Sequence, residues 1–258
     1  MAELRVLNTR PADRAAGLDQ ALTSAGFRVA NLPLLELEPL PLEAAALPQV
    51  RELDRYRAVF VVSPTAARLG LRLLADWWPQ WPVDLVWIAV GEATARELRD
   101  EGLSPVSPED ETSEGVLALP VLRSLGDGDR VLVLRGEGGR NLVREWLTGR
   151  SVRVDYLDVY RRRLPAGAAA RWRELSALAR PDVVVLTSGE SLRHWREVAG
   201  AIGLAIPVLV VSKRLAELAA AAGCREVLLA PGASAPAVVS ALQAWRGGAG
   251  HGIDGTPE

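Results

Sequence analysis

The sequence predicts an α/β protein built from two similar doubly wound parallel-sheet lobes whose chain is interleaved. Three observations predict this fold. Short apolar, β-branched runs alternate with amphipathic stretches of helical period along the 258 residues. Continuously apolar strands that alternate with helices are typical of parallel sheets covered on both faces. The same three strand–helix units occur twice in the same order, which indicates two lobes.

Six main strands are predicted from apolar runs, each followed by a small or polar turn. These are Leu4–Leu7, Ala58–Val62, Leu85–Val90, Arg130–Leu134, Asp182–Leu186 and Val208–Val211. Two shorter strands are predicted at Ser104–Val106 and Glu226–Leu229. Helical periodicity predicts helices over residues 13–25, 64–75, 92–101, 113–124, 140–148, 168–179, 190–201, 213–222 and 234–246.

The internal repeat pairs segments by pattern more than by identity. The segments that begin at Leu4, Ala58 and Leu85 parallel those that begin at Asp129, Asp182 and Pro207. A cut near Gly126 would therefore give two consecutive domains. We favour an interleaved arrangement because of two long extended segments that end the first unit of each half.

These two segments are Val29–Leu42 and Val152–Leu164, and the first carries Pro33, Pro39 and Pro41. Prolines suit an exposed connecting ribbon better than a central strand. We expect the two segments to cross side by side as a two-stranded β linker.

This linker, residues 29–42 and 152–164, sets the predicted domain boundaries. One discontinuous lobe would contain residues 1–35 and 163–246, and the other residues 40–155. The active site is then expected in the cleft between the lobes. Residues 247–258 lack an apolar period and are predicted to form a disordered tail.

Composition excludes several classes of protein. A net charge of −2 and a pI near 5.9 give no electrostatic footprint for nucleic acid. No stretch approaches the roughly 20 apolar residues of a membrane span, and we expect no export signal. The only cysteine, Cys224, rules out an internal disulfide and fits a reducing compartment. We therefore expect a cytoplasmic protein without nucleic-acid or membrane partners.

Polar turns follow all six main strands, where ligands bind in open parallel sheets. They are Thr9-Arg10-Pro11, Ser63-Pro64-Thr65, Gly91-Glu92-Ala93-Thr94, Arg135-Gly136-Glu137-Gly138-Gly139-Arg140, Thr187-Ser188-Gly189 and Ser212-Lys213-Arg214. Any single turn is explained by helix capping, because serine and threonine are good N-caps. Six such turns in two sets favour a large ligand with several negative charges, since helix N-termini attract anions.

Other chemistries lack their motifs. The run that begins at Gly136 resembles a nucleotide loop, but Asn141 stands where the third glycine belongs. No phosphate-binding GxxxxGK[ST] sequence exists. With only His194 and His251, a histidine metal site or a Ser-His-Asp hydrolase is disfavoured. We expect chemistry without cofactor or metal.

Several short motifs, in this order and spacing over about residues 3–245, resemble the uroporphyrinogen-III synthase family. They are Thr9-Arg10-Pro11, Ser63-Pro64, Gly91-x-x-Thr94-Ala95 with Gly102, Arg135-Gly136, Val159-Tyr160 and Thr187-Ser188. The resemblance implies a lyase of haem biosynthesis that acts on hydroxymethylbilane, a linear tetrapyrrole with an acetate and a propionate on every ring. In the family's reaction water leaves, the terminal ring is inverted through a spiro intermediate, and the ring closes as the type III isomer.

The resemblance also implies site residues and partners. Tyr160 and Thr94 match residues of the family's motifs, and we assign a catalytic role to both. Binding of the substrate's carboxylates is assigned to Arg10, Ser63, Arg135, Gly136, Arg140, Thr187, Ser188, Ser212 and Lys213. The second GxxTA-like turn reads Ser212-Lys213-Arg214-Leu215-Ala216, so its threonine is missing and Lys213 is a candidate replacement. We expect a monomer, with transient contacts to neighbouring pathway enzymes left open.

Two other functions remain as alternatives. The first is a bilobal protein that senses a small molecule without converting it. The second is a nucleotide-dependent transferase on a doubly wound sheet, which the incomplete glycine motif disfavours.

Overall fold

The computed structural model describes residues 3–138 and 141–248. In chain order its strands and α-helices are β1 (Arg5–Asn8), α1 (Ala12–Ser24), β2 (Arg28–Asn31), β3 (Glu36–Pro39), α2 (Leu47–Arg51), β4 (Ala58–Val61), α3 (Pro64–Ala75), β5 (Val86–Ala89), α4 (Glu92–Asp100), α5 (Ser113–Leu117), α6 (Pro120–Arg123), β6 (Arg130–Gly136), α7 (Leu142–Thr148), β7 (Arg153–Arg163), α8 (Ala168–Leu178), β8 (Val183–Leu186), α9 (Gly189–Leu204), β9 (Val208–Val210), α10 (Lys213–Ala221), β10 (Val227–Leu229) and α11 (Ala235–Arg246). These elements form two compact units, and the chain passes between them at Glu36/Leu37 and at Arg162/Arg163.

The first unit contains the two ends of the chain. Its sheet has the order β10-β9-β8-β1-β2, and all four neighbouring pairs are parallel. Successive side chains of a strand point to opposite faces. Leu7 and Val184 therefore pack in one apolar layer, and Val6 and Val183 pack in the other. The sheet is covered on both faces, as continuously apolar strands predict.

The second unit contains the middle of the chain. Its sheet has the order β3-β7-β6-β4-β5, and the pairs β7–β6, β6–β4 and β4–β5 are parallel. Val59 and Val61 face one apolar layer, whereas Ala58 and Phe60 face the other. The predicted class of fold, α/β with two parallel sheets, is confirmed.

Strands β3 and β7 are neighbours and run in opposite directions. Glu36 pairs with Arg163, Glu38 pairs with Arg161, and the Leu40 amide donates to the carbonyl of Val159. Residue numbers rise along one strand as they fall along the other, which defines an antiparallel pair. The side chains of this ladder form ion pairs between exposed arginines and partly buried glutamates, as expected at the edge of a sheet.

Three local predictions were wrong in detail. The helix predicted over 113–124 is two short helices, because the second begins at Pro120, which has no amide hydrogen to continue the first. The strand predicted at Ser104–Val106 is a single bridge between Val106 and Ile88. The extended segment Val29–Leu42 is divided into two separate strands. Of the predicted tail, only Gly247 and Gly248 are described, and both amides bond to the last turn of α11.

Candidate functional site

The carboxyl ends of four parallel strands in the second unit lie along one edge of its sheet. Tyr160 lies near the end of β7, Gly136 ends β6, Ser63 follows β4 and Gly91 follows β5. Each was assigned to the site, or to a motif of it, from the sequence. The sheet order β7-β6-β4-β5 brings these separated segments to the same edge.

The phenol of Tyr160 lies at this edge, against Gly136 and near Ser63. Tyr160 is only 2% exposed, and its hydroxyl contacts two polar groups. The hydroxyl lies 3.3 Å from Ser63 Oγ, and Arg162 Nη2 donates to it at 3.4 Å. Both distances are long for such bonds, which have modes near 2.7–3.0 Å. Neither of these hydrogen bonds is therefore a strong one.

Gly136 makes room for the tyrosine ring. The two residues are paired in the β6–β7 register, next to a bulge. A Cβ atom on Gly136 would lie 2.5 Å from two carbons of the Tyr160 ring and 3.0 Å from its hydroxyl oxygen. These distances are below van der Waals contact. The ring can take its present position only because residue 136 has no side chain.

A cavity of about 370 Å³ opens beside Tyr160 within the second unit. Its lining combines six apolar side chains with two arginines, a tyrosine and two glycines. The lining residues are Phe60, Val62, Val90, Val133, Arg135, Gly136, Gly138, Leu142, Val143, Tyr160 and Arg162. An apolar cavity with a few polar groups is typical of small-molecule sites.

Arg135 lines the cavity but is fixed by several partners. Its Nε donates to Asp158 Oδ1 at 2.8 Å, and its Nη1 donates to Asn141 Oδ1 at 3.3 Å. Its guanidinium carbon lies 3.6 Å from the ring centre of Tyr156. Much of its charge is already compensated by Asp158, so its predicted role as a carboxylate contact stays a prediction.

Thr94 is buried in α4 and is 1% exposed. It is not among the residues that line the cavity. The N-terminus of this helix already holds an anion, because Glu111 Oε1 accepts from the Glu92 amide at 2.7 Å. A Cβ on Gly91 would lie 2.6 Å from the Glu111 carboxyl carbon. The missing side chain at residue 91 therefore allows a carboxylate to reach the helix end.

The first unit has a similar edge at the ends of β9, β8 and β1. Ser188 and Ser212 cap α9 and α10 and accept from the Ser191 and Leu215 amides. Ser188 also forms a reciprocal capping box with Ser191. Thr187 precedes this cap and is partly buried. The simple capping interpretation therefore accounts for these two serines.

The remaining basic candidates differ in their surroundings. Arg10 Nη2 donates to the backbone oxygen of Ala233, and burial lowers the pKa of its guanidinium, an effect that nearby Asp19 opposes. Lys213 is exposed at the first position of α10. Arg140 lies outside the described residues.

Two residues at the site were not predicted from the sequence. Arg162 was not singled out, although it belongs to the run Arg161–Arg163 in β7. Glu111 belongs to none of the sequence motifs. It is exposed, but its carboxylate binds the N-terminus of α4. Only a three-dimensional arrangement reveals these contacts, because no short motif encodes them.

Neither a membrane-crossing helix nor a cluster of metal ligands occurs in the described part of the chain. None of the helices in residues 3–138 and 141–248 combines the length and apolarity needed to cross a membrane. Within the same ranges, no group of three or more histidine, cysteine, aspartate or glutamate side chains is placed to hold a metal ion.

The fold and the candidate site together define a class of α/β proteins with a cavity at the strand ends of a parallel sheet. The family model for "Uroporphyrinogen-III synthase HemD" matches residues 16–240. The chain is 32% identical to uroporphyrinogen-III synthase of Escherichia coli K12, over 93% of this chain and 100% of that protein. It is 33% identical to the enzyme of Salmonella typhimurium over the same shares. The chain belongs to the uroporphyrinogen-III synthase family.

Solved structures agree with this assignment at the level of the fold. A crystal structure of mutant uroporphyrinogen III synthase from Thermus thermophilus matches with a TM-score of 0.62 and 19% identity, covering 94% of this chain and 97% of that one. The structure of the Helicobacter pylori enzyme matches with a TM-score of 0.58 and 15% identity, covering 95% and 100%. The family prediction and its consequence, a cyclising lyase of haem biosynthesis, are confirmed.

Proposed function

We propose that the cavity beside Tyr160 is where this enzyme holds the reacting end of hydroxymethylbilane and starts its closure to uroporphyrinogen III. One observation carries the proposal. A tyrosine hydroxyl with two long hydrogen bonds lies at the strand ends of the second unit, next to a cavity of about 370 Å³ whose lining residues are mostly apolar. A pyrrole ring could occupy the cavity while its carboxylates meet the cationic groups.

The first chemical step is the loss of water from the hydroxymethyl group. The carbon–oxygen bond breaks, the Tyr160 hydroxyl gives its proton to the departing oxygen, and the pyrrole nitrogen supplies the electron pair that stabilises the carbon. That carbon attacks the substituted α-carbon of the terminal ring and forms the spiro intermediate. The bond from the attacked carbon to its original methylene bridge then breaks, the freed methylene carbon bonds to the other α-carbon of the same ring, and a proton leaves that second α-carbon to restore aromaticity. That proton balances the one that Tyr160 donated. General acid catalysis of this kind contributes about 10²–10⁴-fold.

The rest of the task is positioning. Hydroxymethylbilane is flexible and can close unaided to the wrong isomer, so one bound shape must be favoured before the reaction. The bound Glu111 carboxylate at α4 is a precedent within the chain for how a helix N-terminus accepts a substrate carboxylate. In the same way, the N-termini of α3, α9 and α10 would accept substrate carboxylates. These helix ends are capped by Ser63, Ser188 and Ser212.

The other assignments are also part of the proposal. Thr94 supports the end of α4, and Arg10, Thr187 and Lys213 provide further polar contacts. Binding of the substrate in a cleft between two lobes stays a prediction from the sequence. So do the monomeric state, the cytoplasmic location and transient contacts with neighbouring pathway enzymes.

Product analysis tests this function. Purified protein is mixed with freshly made hydroxymethylbilane, and the product is oxidised to porphyrin and separated into its isomers. The proposal expects type III as the main product, with type I at the level of the spontaneous reaction. Type I alone would reject the activity, and stoichiometric binding without conversion would favour the sensor alternative.

A further inference from the structure

Three consecutive arginines at the end of β7 have different surroundings. Side chains of a strand alternate between faces, so Arg161 and Arg163 point to one face and Arg162 points to the other. Arg161 pairs with Glu38, and Arg163 pairs with Glu36. The two outer arginines therefore have carboxylate partners on the neighbouring strand β3.

The middle arginine has no such partner. Among the residues that the structure describes, no carboxylate lies within 4.0 Å of the Arg162 guanidinium. Its recorded contacts are both with Tyr160, through the 3.4 Å bond to the hydroxyl and a distance of 5.6 Å to the ring centre. A guanidinium carries five N–H donors. One weak bond leaves at least four of them for a ligand.

Arg162 also lies at the cavity, where the other charged lining residue is already bonded. Arg135 is fixed by Asp158 and Asn141. A carboxylate binds best to an arginine that can offer two parallel N–H groups, which gives both affinity and a fixed orientation. Of the two arginines that line the cavity, Arg162 is therefore the one free to bind such a group in this way.

We infer that Arg162 binds a carboxylate of the tetrapyrrole substrate and fixes the ring that enters the cavity beside Tyr160. This inference rests on the proposed function and adds a binding residue that the sequence motifs did not indicate. The contact between Arg162 and Tyr160 links the two roles, since a carboxylate held by the guanidinium brings the substrate to the tyrosine hydroxyl.

Steady-state kinetics of Arg162→Gln and Arg162→Lys test the inference. Loss of one charge-assisted contact should weaken the affinity for the substrate by about tenfold or more. We expect Arg162→Gln to raise the KM for hydroxymethylbilane at least about tenfold, with a smaller change in kcat. Arg162→Lys keeps the charge but loses the paired donors, so its KM should lie between those of Arg162→Gln and the wild type.

Arg161→Gln is the matched control, because it removes an arginine of the same strand that faces the other side. Its KM should stay within about twofold of the wild type, since exposed ion pairs contribute little. Thermal unfolding checks that the variants are folded. An unchanged KM in Arg162→Gln would overturn the inference, as would a fall in kcat at constant KM, which would mean that Arg162 acts through Tyr160 alone. Type III product from the wild type keeps either result separate from a failure of the proposed function.

Discussion

Replacement of Tyr160 by phenylalanine separates a chemical role of its hydroxyl from a structural one. The change removes two hydrogen bonds of 3.3 and 3.4 Å and leaves the ring packed against Gly136. Bonds this long contribute less than about 1 kcal/mol. For a protein of this size the melting temperature should therefore fall by no more than about 4 °C.

Turnover should respond much more strongly than stability. The proton donor for the departing oxygen would be lost, so kcat should fall at least about tenfold and by as much as about 10²–10⁴-fold. The assay follows the formation of type III product, with spontaneous formation of type I subtracted. The enzyme concentration is varied so that the catalysed reaction is separated from the spontaneous one.

Tyr56→Phe is the matched control for this measurement. Tyr56 is also buried, but it precedes β4 and its hydroxyl donates to Asp155 at 2.8 Å, at the other end of the sheet from Tyr160. Loss of the Tyr56 hydroxyl should lower the free energy of unfolding by about 1–3 kcal/mol without a change in kcat. Unaltered turnover in Tyr160→Phe, or an equal loss in both variants, would refute the role given to the Tyr160 hydroxyl.

Three further predictions concern the same unit. Gly136→Ala should lower kcat severalfold and the free energy of unfolding by about 1–3 kcal/mol, because the Cβ of alanine would displace the Tyr160 ring. Kinetics and chemical denaturation measure the two effects. Wild-type values in both measurements would contradict the packing argument. Burial, followed by the bond to Asp155, raises the pKa of Tyr56. Its contribution to stability is therefore complete below about pH 10 and declines as the pH rises above that value. Denaturation from about pH 8 to 11 should show a steeper decline in the wild type than in Tyr56→Phe, which keeps Tyr156 and Cys224, two groups whose pKa burial also raises; parallel curves would be the contrary result. Glu111→Gln should destabilise the protein by about 0.3–1 kcal/mol through loss of the charge at α4, less so in high salt; a loss independent of salt would argue against an interaction of charges.

The sequence predicts the fold well because the fold depends on local patterns. The strands and α-helices extend over three to sixteen residues, and the two parallel sheets follow from their alternation. Pro120 shows where the apolar period misleads, because the period continues across a residue at which a second helix begins. The division of Val29–Leu42 into β2 and β3 likewise depends on which neighbours each part finds in its sheet.

The site is harder to predict because its contacts join distant parts of the chain. Ser63 and Tyr160 are 97 residues apart in sequence and meet only through the order of the strands. To single out Arg162 one must know which way each side chain of β7 points and which residues of β3 pair with its neighbours. The run of three arginines in the sequence reveals neither. Glu111 reaches α4 from a loop that carries no motif. The predicted strand ends thus indicate where in the sheet the site lies, whereas the individual site residues can be identified only from the folded structure.

A structure of the protein with uroporphyrinogen III bound under anaerobic conditions tests the central claim most directly. The site described here requires one pyrrole ring in the cavity of the second unit, with a carboxylate on Arg162 and the Tyr160 hydroxyl within hydrogen-bond distance of the ligand. A tetrapyrrole bound with none of its atoms in contact with Tyr160 or Arg162 would contradict it.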